Sequence, residues 1–283
     1  MPAVLTRHSY GKSQVRFTKV TRRAEHHDLA EWSVDIELGG DFDASYTDGD
    51  NRKVVATDSM KNTVYIFARD YELTSPEAFA SMLANHFLKT YPQVSSANVR
   101  VAVSGWDRIS VGGRPHPHAF AGRGPERRFV LAAHDRKQRR VSGGIEDLML
   151  LKTTDSAFRD FVRDDFTTLP DTDDRILATA LTCEWQYRES TAAHDAAFQL
   201  IRQTLLETFA CHHSLAVQQT LYAMGSDALE SCLEIDSISL TMPNRHRILV
   251  NLAPLGRENA NVIFVPTDAP FGLITGTLRR SDV

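Results

Sequence analysis

Trp32-Ser33-Val34-Asp35-Ile36-Glu37-Leu38 alternates apolar and polar side chains along its whole length. A period of two places every second side chain on one face of an extended chain, so this stretch predicts a half-buried β-strand. Val15 and Phe17 show the same alternation shortly before it. We expect the two segments to pair as antiparallel strands.

Two helices are predicted to follow these strands. Apolar residues recur at helical spacing over 60–67, directly after Thr57-Asp58, two residue types suited to capping a helix start. Ser75-Pro76-Glu77 opens the second helix, with serine at the cap position and proline in the first turn. That helix is expected to end near Tyr91-Pro92.

Two further apolar strands, 99–103 and 128–133, complete a ββααββ order in the first half of the chain. Residues 41–53 are predicted to form a loop, and the Gly-, Pro- and Arg-rich stretches 111–115 and 121–127 a long, loose connection.

The second half of the sequence repeats this order. Its predicted strands are 145–153, 176–187, 235–242 and 247–252, and its predicted helices are 192–209 and 215–229. Asn62-Thr63-Val64-Tyr65 echoes Gln219-Thr220-Leu221-Tyr222 at equivalent points of the two patterns. The sequence therefore predicts an α+β protein of two related domains, 1–137 and 138–283. A four-stranded antiparallel sheet with both helices on one face leaves its other face without a partner, so oligomerisation is expected.

Composition narrows the class of function. The 283 residues are 42% apolar and 24% charged, which is typical of a soluble globular protein. A formal charge of -4 argues against a protein that binds nucleic acid by neutralising phosphates, so a small-molecule partner fits better. The three cysteines have no CxxC spacing, and neither a disulfide framework nor a structural zinc site is indicated.

The sequence also bears on localisation. No apolar run approaches the roughly 20 residues needed to cross a bilayer, and residues 1–10 lack the apolar core of a signal peptide. Residues 280–283 do not form a peroxisomal Ser-Lys-Leu tail. We therefore expect a cytoplasmic protein that binds neither membrane nor nucleic acid.

A specific signature begins at Leu148. The chain reads Leu-Met-Leu-Leu-Lys-Thr-Thr-Asp-Ser-Ala-Phe from there to Phe158 and continues with Phe161, Phe166, Thr167-Thr168-Leu169 and Arg175. This spacing resembles that of the urate oxidase (uricase) family, and the resemblance covers nearly the whole chain. Further matching segments are Tyr10-Gly11-Lys12, Val55–Ser59, Lys61–Tyr65, Trp106-Asp107-Arg108, Ser214–Thr220 and Pro243-Asn244-Arg245-His246.

The resemblance implies a tunnelling fold (T-fold), in which paired ββααββ domains assemble into a homotetramer around a channel, with active sites at subunit interfaces. It also implies that the chain oxidises urate with dioxygen to 5-hydroxyisourate and hydrogen peroxide in purine degradation, using no metal, flavin or haem. The sequence agrees in having no glycine-rich dinucleotide-binding turn and no clear metal-ligand motif.

Substrate-binding residues follow from the same resemblance. Urate is a flat, anionic purine, so its site needs an aromatic platform, a cation and directed amide hydrogen bonds. Arg175 resembles the arginine that grips urate with two hydrogen bonds, and Gln218 resembles the amide on the opposite edge. Phe158 would stack on the purine, with Leu169 and Val217 as apolar walls. Taken alone, these are ordinary core and surface residue types.

Catalytic residues are carried over in the same way. Lys12 and Thr57 resemble the family's dyad, with Thr57 contributed from the neighbouring subunit and His246 joining as a proton relay. A lysine is ordinarily protonated at neutral pH, so acting as a base requires desolvation or a nearby cation. Asn244 resembles the asparagine that, with Thr57, lines the dioxygen site. Asp58 is expected to bind the purine edge through backbone N–H groups at the helix start.

Alternatives remain open at this point. A non-catalytic purine-binding relative would keep the binding residues without turnover, and a pterin-metabolising T-fold enzyme with zinc would need a Cys/His set that is not evident here. His116 and His118 form an H-x-H pattern, but two histidines do not make a metal site. Arg245 and Arg247 flank His246 where relatives carry other residues, a departure that could alter the relay or the interface charge.

Overall fold

The computed structural model describes residues 3–73, 75–189, 191 and 193–281. The chain forms two compact units, Met1–Gly144 with Gln186–Asp195 and Ile145–Trp185 with Ala196–Val283. The predicted domain limits of 137 and 138 stay a prediction, and the expectations for the two chain ends fall partly on residues 1–2 and 282–283, outside the described ranges. Within those ranges, no helix is both long and apolar enough to span a bilayer.

The first unit shows the predicted ββααββ order with a short helix and a hairpin added. Its elements are β1 (Tyr10–Arg22), β2 (His27–Gly40), α1 (Asp43–Thr47), α2 (Thr57–Asp70), α3 (Pro76–Thr90), β3 (Val94–Val103), β4 (Trp106–Val111), β5 (Arg114–Gly122) and β6 (Arg127–Asp135). Strands β1, β2, β3 and β6 neighbour one another in that order, each pair antiparallel, while β4 pairs only with β5.

The second unit repeats that plan. Its elements are β7 (Arg139–Lys152), β8 (Leu177–Tyr187), α4 (His194–Cys211), α5 (Val217–Ser231), β9 (Ile235–Asn244), β10 (Arg247–Leu249), a 3-10 turn (Ala253–Leu255), β11 (Phe264–Pro266) and β12 (Gly272–Arg279). Strands β7 and β8 contribute residues to both units. The strand order here is β7-β8-β9-β12, and β10 pairs with β11. The predicted α+β class is confirmed, and a small two-stranded insert follows the third strand of both halves.

The alternation in β2 buries one face of the strand, as predicted. Trp32, Val34, Ile36 and Leu38 are each at most 4% exposed, and the predicted antiparallel pairing is confirmed, with Phe17 opposite Trp32. Each side chain buried in this way stabilises the fold by about 1.5–3 kcal/mol. The strand therefore anchors the core beneath α2 and α3.

The two helix starts in the first unit differ. Helix α3 begins as predicted, because the Ser75 hydroxyl accepts a hydrogen bond from the Ala78 amide at 3.2 Å. The prediction that Thr57 and Asp58 cap α2 is wrong. Ala56 is the cap residue and makes no side-chain bond, so Thr57 and Asp58 are the first two helical residues.

Other predicted elements also need correction. Residues 247–252 do not close the second sheet, since Arg247–Leu249 pairs with β11 and Gly272–Arg279 lies beside β9 instead. The glycines and threonines of β12 hide that strand from hydrophobic periodicity. The stretch 41–53 contains α1, and the supposed loose connection near 111–127 contains the β4–β5 hairpin.

The sequence echo does not mark equivalent points in the structure. Thr63 lies in α2, the first long helix of its half, whereas Thr220 lies in α5, the second long helix of its half. The prediction that the two fragments are equivalent is therefore wrong.

At the C-terminal end of each long helix, carbonyl groups of the last turn or of the residues just after it bind a cation from outside the helix. Lys19 of β1 donates to the carbonyls of Ala68, Arg69 and Tyr71 at 2.6–3.1 Å, at the end of α2. The other three cations are Arg136 for α3, Lys152 for α4 and Arg280 for α5. In each half, a lysine of the first strand binds at the end of the first long helix. An arginine just after the last strand binds at the end of the second long helix. We call these four residues the helix-end cations.

A buried carboxylate ties a distant segment into the first unit. Glu77 is 1% exposed and accepts two hydrogen bonds from Arg128 at 2.8 and 2.9 Å. Tyr187 donates to it at 3.3 Å, and Arg128 also reaches Asp195 at 2.6 Å. Residues 186–195 are thereby joined to α3 and β6 through one charged network.

Candidate active site

The start of α2 presents backbone amides. The first amides of a helix have no intrahelical acceptor, and Ala56 supplies no side-chain cap for them. Thr57 is half-buried at this end. An uncapped helix start with a threonine hydroxyl suits an anionic or carbonyl-bearing ligand.

The Asp58 side chain is engaged within its own helix. Its carboxylate binds the Lys61 ammonium at 2.6 Å and the Asn62 amide at 2.9 Å. The hydrogen bond from Lys61 is the main reason that the pKa of Asp58 lies below its usual value, and the positive charge of Lys12 contributes to the same shift. The carboxylate is thus occupied, while the Asp58 backbone amide belongs to the uncapped turn.

Lys12 lies in β1 opposite Ile36, half-buried, just before a break in the strand register. Gln14 takes a positive φ of 53° at this bulge, and its amide donates to the Asp35 carboxylate at 2.6 Å. The bulge re-aims the strand directly after Lys12.

Tyr10 connects this strand to the segment before α2. Its hydroxyl accepts a hydrogen bond from the Val55 amide at 2.7 Å and donates to the Val55 carbonyl at 3.2 Å. The structure therefore brings Lys12, Thr57 and Asp58 into one neighbourhood in the first unit.

The signature segment folds back on itself in the second unit. Phe158 and Thr172 exchange two backbone hydrogen bonds of 2.8 and 3.0 Å, and the Arg175 amide donates to the Ser156 carbonyl at 2.7 Å. This pairing places the Arg175 guanidinium 5.2 Å from the centre of the Phe158 ring. A cation and an aromatic face, both half-buried, thus occur together.

Arg175 has no anionic partner among the described residues. Burial lowers its pKa, and no carboxylate in the described part of the chain lies near enough to offset that effect. A desolvated guanidinium with free donors favours a planar anion that accepts two hydrogen bonds.

Two aromatic rings of this segment stack on each other. The Phe158 and Phe161 rings are nearly parallel, at 10° with centres 4.9 Å apart, and the Arg163 guanidinium lies 4.6 Å from the centre of the Phe161 ring. Arg163 also donates to the Leu169 carbonyl at 3.0 Å and pairs with Asp171 at 3.1 Å. Leu169 itself is 49% exposed.

The start of α5 lies next to the Phe158 segment. Ser156 and Ser214 form a bridge in which the Ala157 amide donates to the Ser214 carbonyl at 2.7 Å. Val217 is buried and Gln218 is exposed, as the first two residues of α5. Ala216 caps this helix without a side-chain bond, just as Ala56 does for α2.

Asn244 and His246 lie at the end of β9. Asn244 is opposite Gly272, and both predicted residues are half-buried. Arg247 donates to the carbonyls of Arg245 and His246 at 3.1 Å each, and the Thr267 amide donates to His246 at 3.0 Å. Arg245 pairs with Asp268 at 3.2 Å. The arginines beside His246 therefore hold this turn in place.

The H-x-H pattern does not extend to a metal-ligand cluster in the described residues. The His116 and His118 rings are 4.6 Å apart on the β5 strand. No group of three or more histidine, cysteine, aspartate or glutamate side chains within the described ranges could hold a metal ion.

The structure thus gathers the predicted residues into three groups. They are Lys12, Thr57 and Asp58; Phe158, Arg175, Val217 and Gln218, with Leu169 at the rim; and Asn244 with His246. Sequence reasoning assigned no role to Tyr10, Phe161 or Arg163. A signal was available for the first two, since Tyr10 lies two residues from Lys12 on one strand face and Phe161 belongs to the signature.

The chain is similar to known proteins in both sequence and structure. A sequence model of the family described as uricase matches residues 8–133 and 141–275. A uricase from Arthrobacter globiformis is 42% identical over 98% of this chain and 90% of its own, and one from Dictyostelium discoideum is 36% identical over 99% and 98%. The crystal structure of the Arthrobacter globiformis uricase superposes with a TM-score of 0.95 at 41% identity, covering 100% of this chain and 97% of its own. This likeness confirms the predicted fold.

Proposed function

The chain belongs to the uricase family, and from this premise we propose that it is a urate oxidase, an enzyme that oxidises urate with dioxygen. The overall reaction converts urate, dioxygen and water into 5-hydroxyisourate and hydrogen peroxide, so two electrons pass from the purine to dioxygen. The observation that carries the proposal is Arg175, a partly desolvated guanidinium that lies beside the Phe158 ring and has no acid partner among the residues that the structure describes.

Urate binding is assigned to the second group of residues. Arg175 donates two hydrogen bonds to one edge of the purine anion, and the Gln218 amide donates to a carbonyl and accepts from a ring N–H on the opposite edge. Phe158 stacks on the purine face, while Leu169 and Val217 exclude water from its sides. The Asp58 amide, in the uncapped first turn of α2, serves the remaining edge.

Proton removal is assigned to Lys12 and Thr57. Ground-state dioxygen is a triplet and does not combine directly with a closed-shell purine, so the enzyme must first make urate a better electron donor. The Thr57 hydroxyl passes a proton from urate to Lys12, with His246 as a relay. The more electron-rich purine then transfers electrons to dioxygen.

Dioxygen and then water are assigned a place above the purine, beside Asn244 and Thr57. Electron transfer and recombination give a purine hydroperoxide, which expels hydrogen peroxide and takes up water. The Asn244 amide supplies a directed donor for the oxygen species.

We further propose that the working site is shared between copies of the chain in a homotetramer, with Thr57 and Lys12 of one copy facing Arg175 and Gln218 of another. Large apolar side chains exposed in the second unit support an interface there, among them Ile248, Leu249 and Val265 at 42–56% exposure. Sedimentation equilibrium tests this directly. A mass of four times 31.7 kDa is expected, and a monomer that oxidises urate would contradict the shared site.

One assay tests the activity. Purified, chelator-treated protein is mixed with urate in air, and the loss of urate's near-ultraviolet absorbance is followed together with peroxide release. Equal rates of both are expected, and Thr57→Ala should lower both at least about a hundredfold while leaving a measurable residual rate. Thr63→Ala is the matched control, because Thr63 lies in the same helix and its hydroxyl only donates to the Ser59 carbonyl. Urate binding without turnover would contradict the proposal.

A further inference from the structure

We propose that Tyr10 is a positioning residue of this reaction, whose hydroxyl group holds the strand that carries Lys12 against the helix start that carries Thr57. The inference rests on the proposed function, in which those two side chains move the proton of urate. Tyr10 itself touches neither substrate nor reacting atoms.

The single hydroxyl oxygen of Tyr10 makes two hydrogen bonds to the backbone, one as acceptor and one as donor. The hydroxyl accepts from the amide of Val55 at 2.7 Å and donates to the carbonyl of the same residue at 3.2 Å. Both backbone groups of Val55 are therefore satisfied by one side chain from a strand 45 residues away. Val55 is 4% exposed, so water does not readily replace these bonds.

The spacing on both sides is the same. Tyr10 precedes Lys12 by two residues on β1, which places both side chains on one face of the strand. Val55 precedes Thr57 by two residues at the start of α2. Any displacement of the Tyr10–Val55 contact therefore displaces Lys12 and Thr57 as well, because each of them lies only two residues from it. Helix α2 packs against β1, so the two segments meet here.

The surroundings leave this contact little freedom. The Tyr10 ring packs edge-on against Phe42, with ring centres 4.9 Å apart. A Cβ atom on Gly11 would lie 1.7 Å from the Ile36 carbonyl oxygen, so β1 lies as close to β2 as a backbone allows. Burial also raises the pKa of the Tyr10 phenol, which keeps the proton that it donates to Val55.

Tyr10→Phe tests the inference because it removes one oxygen atom and keeps the ring. We expect kcat for urate to fall about ten- to hundredfold, as for a small misplacement of reacting groups, with KM changed less than about twofold. The same substitution in a Thr57→Ala background should change the residual kcat less than about twofold, since the pair that Tyr10 positions is already broken. Replacing Tyr10 with 4-aminophenylalanine, which restores a donor at the same reach, should recover most of the activity.

Tyr46→Phe is the matched control. The Tyr46 hydroxyl also makes one backbone bond near β1, to the Ser9 carbonyl at 3.0 Å, but it does not reach Val55. It should leave kcat unchanged. If Tyr10→Phe yields too little folded protein for kinetics, the variant with 4-aminophenylalanine at position 10 takes its place. It is compared with the Tyr10 protein in the background that keeps Thr57 and in the Thr57→Ala background. In each background we expect a kcat within about threefold of that of the Tyr10 protein.

The failures can be told apart. An active wild type whose kcat is unchanged in Tyr10→Phe, or falls equally in the Thr57→Ala background, overturns the positioning role alone. A loss expressed only in KM does the same. A wild type without urate oxidation overturns the proposed function and this inference with it.

Discussion

Under the proposed function, Arg175 is the residue on which urate binding should depend most. It is half-buried over Phe158 and has no acid partner in the described chain, so its free donors are available to a planar anion. A lysine at this position keeps the charge but loses the two-pronged geometry.

Arg175→Lys is therefore expected to raise the KM for urate about ten- to hundredfold, since a charge-assisted hydrogen bond contributes about 1.5–3 kcal/mol. Steady-state kinetics with urate measures this. Arg159→Lys is the control, because Arg159 is exposed in the same segment and pairs with Asp173. Similar KM values for the two variants would contradict the role of Arg175.

The Phe161 ring packs nearly parallel to the Phe158 ring. An aromatic pair contributes about 0.5–1.5 kcal/mol beyond its buried area, so Phe161→Leu should raise the KM for urate several-fold while leaving the reacting groups in place. Phe166→Leu, in the same segment but 89% exposed, should have no effect. The stack is irrelevant to binding if the two leucine variants have equal KM values.

Sequence reasoning named the residues of the proposed site but not the contacts that hold them. The signature and the matching segments led to the predictions for Arg175, Phe158 and Gln218, which stay predictions. The Tyr10–Val55 bonds and the Arg163 contacts depend on where distant segments meet, and hydrophobic periodicity carries no such information.

The helix-end cations stabilise the fold at the scale of its elements. Lys19 binds three carbonyls at the end of α2, where a positive charge also faces the negative end of the helix dipole.

Lys19→Met is expected to lower the free energy of unfolding by about 1–3 kcal/mol, because three carbonyl acceptors, two of them part-buried, lose a charged donor. Thermal or denaturant unfolding measures this. Lys137→Met is the control, since Lys137 is exposed and its side chain makes no hydrogen bond within the described residues. Equal stability of the two variants would show that water molecules hydrogen-bond to these carbonyls as favourably as Lys19 does.

Elements with a strong physical signal were predicted well, and those without one were missed. Alternation located β2, and Ser75-Pro76 located the start of α3. Strand β12 was missed because Gly276 is there to let Leu221 of α5 approach, a Cβ on Gly276 lying 2.8 Å from a Leu221 methyl carbon. A residue selected for close packing carries no apolar period.

The molecule as a whole is expected to lose stability in weak acid. His134 is 3% exposed, and burial lowers its pKa, as it does for His86, His194 and His212. The folded chain then binds fewer protons than the unfolded chain once the pH falls below about 6.5, so unfolding is favoured as acidity rises.

The Tm is accordingly expected to fall between pH 7.5 and pH 5.5. His134→Gln should reduce that fall, because it removes one group that only the unfolded chain protonates readily, and a glutamine amide can still donate towards Asn85. His213→Gln, at an exposed histidine, should leave the pH dependence as it is. An unchanged slope in His134→Gln would contradict the assignment.

The duplication of the fold was visible in the sequence only as an order of elements. The fragments that look alike, near Thr63 and Thr220, lie in the first long helix of one half and the second long helix of the other. What the two halves share physically is the pattern of helix-end cations, a lysine from the first strand and an arginine after the last. Isolated lysines and arginines at such a spacing are too few to show as a sequence repeat.

The Glu77 network has a practical consequence for cutting the chain. A break between residues 137 and 138 leaves Tyr187 and Asp195 on the second fragment, although their partners Glu77 and Arg128 are on the first. The first fragment alone would keep a buried carboxylate with part of its hydrogen bonds missing. The first fragment would consequently be less stable on its own than it is within the whole chain.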